Sequence, residues 1–260
     1  MNSKTLLPAL SILVLSCKAN NFSDTAKQKE KTAGKNANSY AVIDSIPLPP
    51  GYKGFAPKEN SFAEWLGKIK LKESKTVYLF NGSKKLNRQA QFAVLDISVG
   101  NKDLQQCADA VMRLRAEYLF TANKFESISF ADNEGGVYLF SQPYSREHLH
   151  TYLQKVFGMC GSASLSKQLR PATIETIKPG DVFIRGGFPG HAAIVMDVAA
   201  NAEGKRIFML AQSYMPAQDI HVLANPMDKN LSPWYEVNDN NEIVTPEYVF
   251  KRNELKSWAE

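Results

Sequence analysis

Three apolar runs late in the chain limit the fold most: DVFIR from Asp181, HAAIVMDVAA from His191 and RIFMLAQ from Arg206. Each is short and rich in apolar residues, and the first two are bounded by Gly or Asn, which makes strands rather than helices. The last two read as a hairpin. With the turn centred between Asn201 and Ala202, Asp197 falls opposite Arg206, a cross-strand pair of opposite charge. The same register sets His191 opposite Gln212 at the open end.

Helical spacing appears elsewhere. SFAEWLGKI has Ser61 as a cap, Glu64 three residues on, and Phe62, Trp65, Leu66 and Ile69 along one face. The stretch DLQQCADAVMRLRAEYLF predicts a helix from Asp103 to Phe120, with Asp103 as N-cap and Gln106 completing a capping box. Ser145 to Met159 and a terminal segment from Pro246 to about Trp258 read as two more. KTVYLF and QFAVLDISV are expected to pair as strands, and so are SISFAD and GVYLFSQ. The fold class is therefore α+β, an antiparallel sheet with packed helices.

The N-terminus predicts export. MNSKTLLPALSILVLSC has an early Lys4 and an apolar run from Leu6 to Leu15, about half of what a bilayer requires. Val14, Leu15, Ser16 and Cys17 resemble the lipobox of bacterial lipoproteins, which implies a signal peptide over 1–16 and lipidation at Cys17. The segment to Ser39 is too poor in large apolar residues to offset its chain entropy, so 17–39 reads as a lipidated flexible tether. What remains, 40–260, suits a single α+β domain, with an N-terminal lobe over 40–102 and the main core over 103–260. Of the formal net charge of +5, Lys4 contributes one and the tether three, so the body carries no electrostatic footprint for nucleic acid.

An imidazole beside a side-chain amide lacks only a thiol to form a cysteine-hydrolase site. Cys107 stands in the first turn of its helix, where the dipole favours a thiolate and can bring a thiol from ~8.5 to ~3.5–7.5 with a histidinium nearby. Cys160 follows a helix, where the dipole opposes charge on sulfur. Cys107 is the expected nucleophile, with His191 as base and Gln212 as orienting group. Gln105, Gln106, Ser213, Tyr214 and Trp234 are candidates for oxyanion or substrate contacts. Two other readings of the thiols stand beside this one: a Cys107–Cys160 disulfide in an oxidising compartment, and simple packing in a core. The other histidines lack a ligand-like arrangement, so no metal or other cofactor is expected.

Cys107, then Gly180 and Asp181, then Gly190, His191, Ile194 and Val195, and finally Gln212 resemble, in order, the papain-like cell-wall hydrolases of the CHAP and NlpC types. The resemblance implies a papain-like core over 103–260 and amide hydrolysis in peptidoglycan peptides. A longer resemblance runs through GYKGF, the Cys107 helix, GDVFIRGGFPGHAAIVMDV, LAQSYMPAQDIHVL, PWY and TPEYVF. These words are similar to an uncharacterised bacterial group, domain-of-unknown-function family 4846. The expected protein is a membrane-anchored lipoprotein of the cell envelope, on its periplasmic or surface side. It acts on peptidoglycan or peptide, or else, without catalysis, binds cell-wall fragments or partner proteins.

Overall fold

The computed structural model describes Met1 and residues 37–259. The expected signal peptide, the lipidation site Cys17 and nearly all of the tether lie outside the described residues. Asn38 donates from its side chain to the carbonyls of Tyr40 and Lys72. From Asn38 onward the chain forms one compact α+β unit.

Four helices lie among the described residues: α1 (Phe62–Gly67), α2 (Cys107–Thr121), α3 (Arg146–Met159) and α4 (Ser162–Gln168). The strands are β1 (Lys53–Gly54), β2 (Gln91–Val94), β3 (Ser129–Ala131), β4 (Val137–Leu139), β5 (Arg170–Pro171), β6 (Val182–Arg185), β7 (His191–Ala200), β8 (Arg206–Gln212), β9 (His221–Leu223), β10 (Trp234–Glu236), β11 (Glu242–Val244), β12 (Val249–Lys251) and β13 (Leu255–Ser257). One antiparallel sheet runs β2-β9-β8-β7-β6-β13-β5, with β1 also on β7 and β10 also on β8. β3 with β4 and β11 with β12 form separate pairs. The expected N-terminal lobe supplies β1 and β2 to this same sheet.

The apolar runs are continuous because the sheet is covered on both faces. Ile184, Ala192, Ile194, Met196, Met209 and Ala211 point into the large core with α2. Their neighbours Phe183, Ala193, Val195, Phe208 and Leu210 point into a second core with Phe250. Ala108, Ala110 and Ala116 are buried on α2, and such small side chains let a helix lie close to a sheet.

The β7–β8 register differs from the one expected. Asp197 faces Met209, and Arg206 faces Ala200. The chain turns through Asn201 to Lys205, with Gly204 at φ +79, a left-handed position that suits glycine. An irregularity at Met196, between the Val195–Leu210 and Asp197–Met209 pairs, shifts the register again. Asp197 is therefore not paired with Arg206, whose Nη1 donates to the Ile177 carbonyl.

Three other expectations need correction. Pro246–Trp258 is not a helix, since it forms β12 and β13, the latter seated between β6 and β5. KTVYLF does not pair with QFAVLDISV. It makes only single bridges at Tyr78 and Leu79, while β2 pairs with β9. The long helix starts later than expected: Gln106 is the N-cap, and its N–H donates to Asp109 at 2.9 Å. Asp103 instead accepts from the Ala217 N–H and from the Gln106 side chain.

Candidate functional site

The site forms where β7 and β8 part. Their ladder ends at Ile194 and Ala211, and beyond it the approach to α2 is tied in by Ser213, whose Oγ lies 2.9 Å from the Gln105 carbonyl. This arrangement puts the Cys107 sulfur at the start of β7, where the N–H of Ala192, with those of Ala108 and Cys107 itself, favours negative charge on it. Burial outweighs these groups. With Asp109 adding repulsion, the thiol is pushed up to about 11. The expected lowering at the helix start is thus reversed, because the thiol of a buried cysteine, 7 % exposed as a residue, loses more in hydration than the dipole returns. Cys107 and Cys160 are both free thiols.

His191 is 1 % exposed, and its ring lies toward the second core. The rings of Tyr248, Tyr214 and Phe250 surround it, with centroids at 4.7, 4.9 and 5.6 Å. Nε2 is 2.7 Å from Gln212 Oε1. Nδ1 takes part in no hydrogen bond among the described residues, and none joins the ring to the thiol. Burial lowers the imidazole to about 4, with the charge on Lys85 helping and the Gln212 bond opposing. At neutral pH both members of the expected pair are therefore uncharged.

Behind Gln212 stands a polar network that the sequence did not reveal. Gln212 Nε2 donates to Glu247 Oε2 at 2.9 Å, and the same oxygen receives Lys85 Nζ in an ion pair. Asn87 donates to the other carboxylate oxygen at 3.3 Å. Lys85 Nζ also lies 3.2 Å from His221 Nε2, while His221 Nδ1 lies 2.9 Å from the Asp219 carbonyl. Lys85 is almost wholly buried, which lowers its pKa against the pull of Glu247. Nothing in NGSKKLNR marks one lysine of a polar loop as buried. Glu247 was hidden by the helical reading of its segment.

The other candidates are placed as follows. Gln106 caps α2 and holds Asp103. Gln105 is buried, its Oε1 accepting from Arg113 at 2.6 Å and its Nε2 without a partner among the described residues. Ser213 is a structural tie between Gln105 and the Gln218 carbonyl. Tyr214 does flank the imidazole. Trp234 is not brought to the site: it lies in the large core on β10, its indole N–H donating to the Pro47 carbonyl at 3.1 Å. Exposed Phe188 and Met215 sit on the loops next to His191 and Gln212. Among the described residues no group of three or more His, Cys, Asp or Glu could hold a metal ion.

The family described as domain of unknown function 4846 matches residues 42–143 and 136–257. The chain belongs to this family. No curated protein and no solved structure matches it. The two matched segments of the family 4846 chain meet around the β3–β4 pair, so Lys85 lies in the first and His191, Gln212 and Glu247 lie in the second.

Proposed function

We propose that the protein is a cell-envelope lipoprotein whose papain-like core hydrolyses amide bonds in peptidoglycan peptides, through Cys107, His191 and Gln212. The observation that carries this reading is the imidazole: Nε2 is engaged by Gln212 and Nδ1 is left for a proton, one residue from the amide that faces the Cys107 sulfur. As the sulfur attacks the carbonyl, Nδ1 takes its proton, and it later delivers one to the leaving amine. The Cys107 N–H donates to the oxyanion. Water then releases the acyl group with His191 again as base. Because the resting thiol is neutral, proton removal accompanies attack and does not precede it.

The test is release of new amino groups from peptidoglycan fragments. Cys107→Ser and His191→Ala should each abolish release in a protein that still folds. Gln212→Ala should be milder, since it moves no proton. The lipid anchor rests on Val14 to Cys17 and is tested separately: Cys17→Ala should free the protein from membranes.

A second reading, binding of cell-wall fragments without catalysis, is favoured by the buried, uncharged state of both thiol and imidazole. It prevails if wild type binds the fragments without cleaving them and Cys107→Ser binds equally well.

A further inference from the structure

The buried network has a direction, and the direction is fixed at Glu247. Its Oε2 accepts from both Lys85 and the Gln212 amide, and its Oε1 accepts from Asn87. A carboxylate can only accept, so Gln212 must turn its NH2 toward Glu247 and its carbonyl oxygen toward His191. The imidazole must then carry its proton on Nε2, which leaves the lone pair on Nδ1. Lys85 supplies the matching constraint from the other side. It has only protons to offer, so His221 must accept on Nε2 and donate from Nδ1 to the Asp219 carbonyl. Asp219 is itself held by Lys72 Nζ at 2.9 Å and by the Tyr78 N–H at 3.0 Å.

We infer that Glu247, held by Lys85, is a positioning residue that selects the Nε2–H tautomer of His191 through Gln212 and so makes Nδ1 the basic atom of the site. Neither Glu247 nor Lys85 has a hydrogen bond to the ring. Both act only by deciding which end of the Gln212 amide faces it. Without the carboxylate, the amide can turn over, present its NH2 to the imidazole and accept the other tautomer. The inference rests on the hydrolase reading only for its kinetic arm, because the tautomer of a neutral imidazole can be read without any substrate.

The experiment is nitrogen-15 NMR of histidine-labelled full-length protein at neutral pH, with the His191 signals assigned by His191→Gln. Wild type should show a protonated Nε2 and an unprotonated Nδ1. Glu247→Gln keeps an acceptor oxygen where Lys85 and Gln212 converge, and should hold the wild-type pattern. Glu247→Ala should shift the ring to a mixture of both tautomers. In the proposed hydrolysis it should lower kcat about ten- to a hundredfold, with KM within about twofold. A Glu247→Ala protein that folds and keeps the single wild-type tautomer overturns the proposal. Gln212→Met leaves the Lys85–Glu247 pair in place and guards against a Glu247→Ala protein that does not fold. It must also release the ring, and a single retained tautomer there overturns the proposal equally. If the tautomer responds as expected but no hydrolysis is ever found, the positioning role stands and the hydrolase reading alone falls.

Discussion

The reactivity of Cys107 separates the two physical effects that compete at the start of α2. An ordinary thiol near 8.5 is about one-quarter thiolate at pH 8. A thiol pushed up to about 11 is only about 0.1 % thiolate there, roughly 240-fold less. The more basic sulfur is also the better nucleophile, with a Brønsted slope of about 0.4–0.5, which restores roughly tenfold. The net expectation is about 20-fold slower reaction with a small neutral disulfide at pH 8 than for the same cysteine in the urea-unfolded chain, before any loss from burial. With Cys17 and Cys160 both changed to Ala, the folded rate should climb about tenfold per pH unit without a plateau up to pH 10. Asp109 adds a second feature, because burial raises its carboxyl to about 8. Below that pH it is neutral, so Asp109→Asn and wild type should react alike at pH 7 and separate above pH 8, the Asn variant reacting faster. A rate that levels off below pH 7.5 would mean a resting thiolate, and with it a charged imidazole. It would overturn the view that burial dominates this site.

Three further outcomes are expected. Asp109 binds a proton in the folded state up to about pH 8 but in the unfolded chain only up to about 4, so its contribution to stability falls as pH rises between those values; Asp109→Asn should flatten that part of the curve and melt higher than wild type at pH 9. His191 runs the opposite way, since it titrates at about 4 when folded and near 6.5 when unfolded; stability should fall as pH drops from 6.5 to 4, and urea midpoints of His191→Gln should show a smaller loss, the remainder coming from buried His221, which burial lowers to about 3. Gly190→Ala would bring a Cβ within 2.6 Å of the Gly187 carbonyl and 2.7 Å of the Arg185 carbonyl, which cannot swing aside; a loss of roughly 1–3 kcal/mol by denaturant unfolding is expected, and Ser162→Gly should not restore it although Ser162 Oγ is the nearest atom.

The parts legible in the sequence are those where one local signal suffices. Ser61 caps α1 through the Glu64 N–H, a helix runs through Arg146–Met159, and β3 pairs with β4, as their patterns indicate. The three apolar runs do form adjacent strands. What failed depended on choosing among alternatives of similar local quality. The Asp197–Arg206 pairing offered a plausible charge match, but it is outweighed by a longer turn and an irregularity at Met196 that no residue type announces. His191 and Gln212 still meet, because they lie beyond the last paired residues, where the strands are free to part. TPEYVF carries apolar residues at spacings that suit either helix or strand, and pairing of β12 with β11 settles the choice. Burial of Cys107 likewise belongs to the assembled sheet and helix. Its first-turn position was visible, yet the cost of drying it was not.

The contact between Lys85 and Glu247 spans 162 positions of the chain. Closing so long a loop carries an entropic cost that the contact must offset. A chain that has built the β6–β7–β8 sheet but not yet docked its final segments has Cys107, His191 and Gln212 in their neighbourhood without a fixed polarity among them. If the proposed hydrolase reading holds, a copy that lacks its final segment would carry Cys107, His191 and Gln212 and still lack the carboxylate that orients the base.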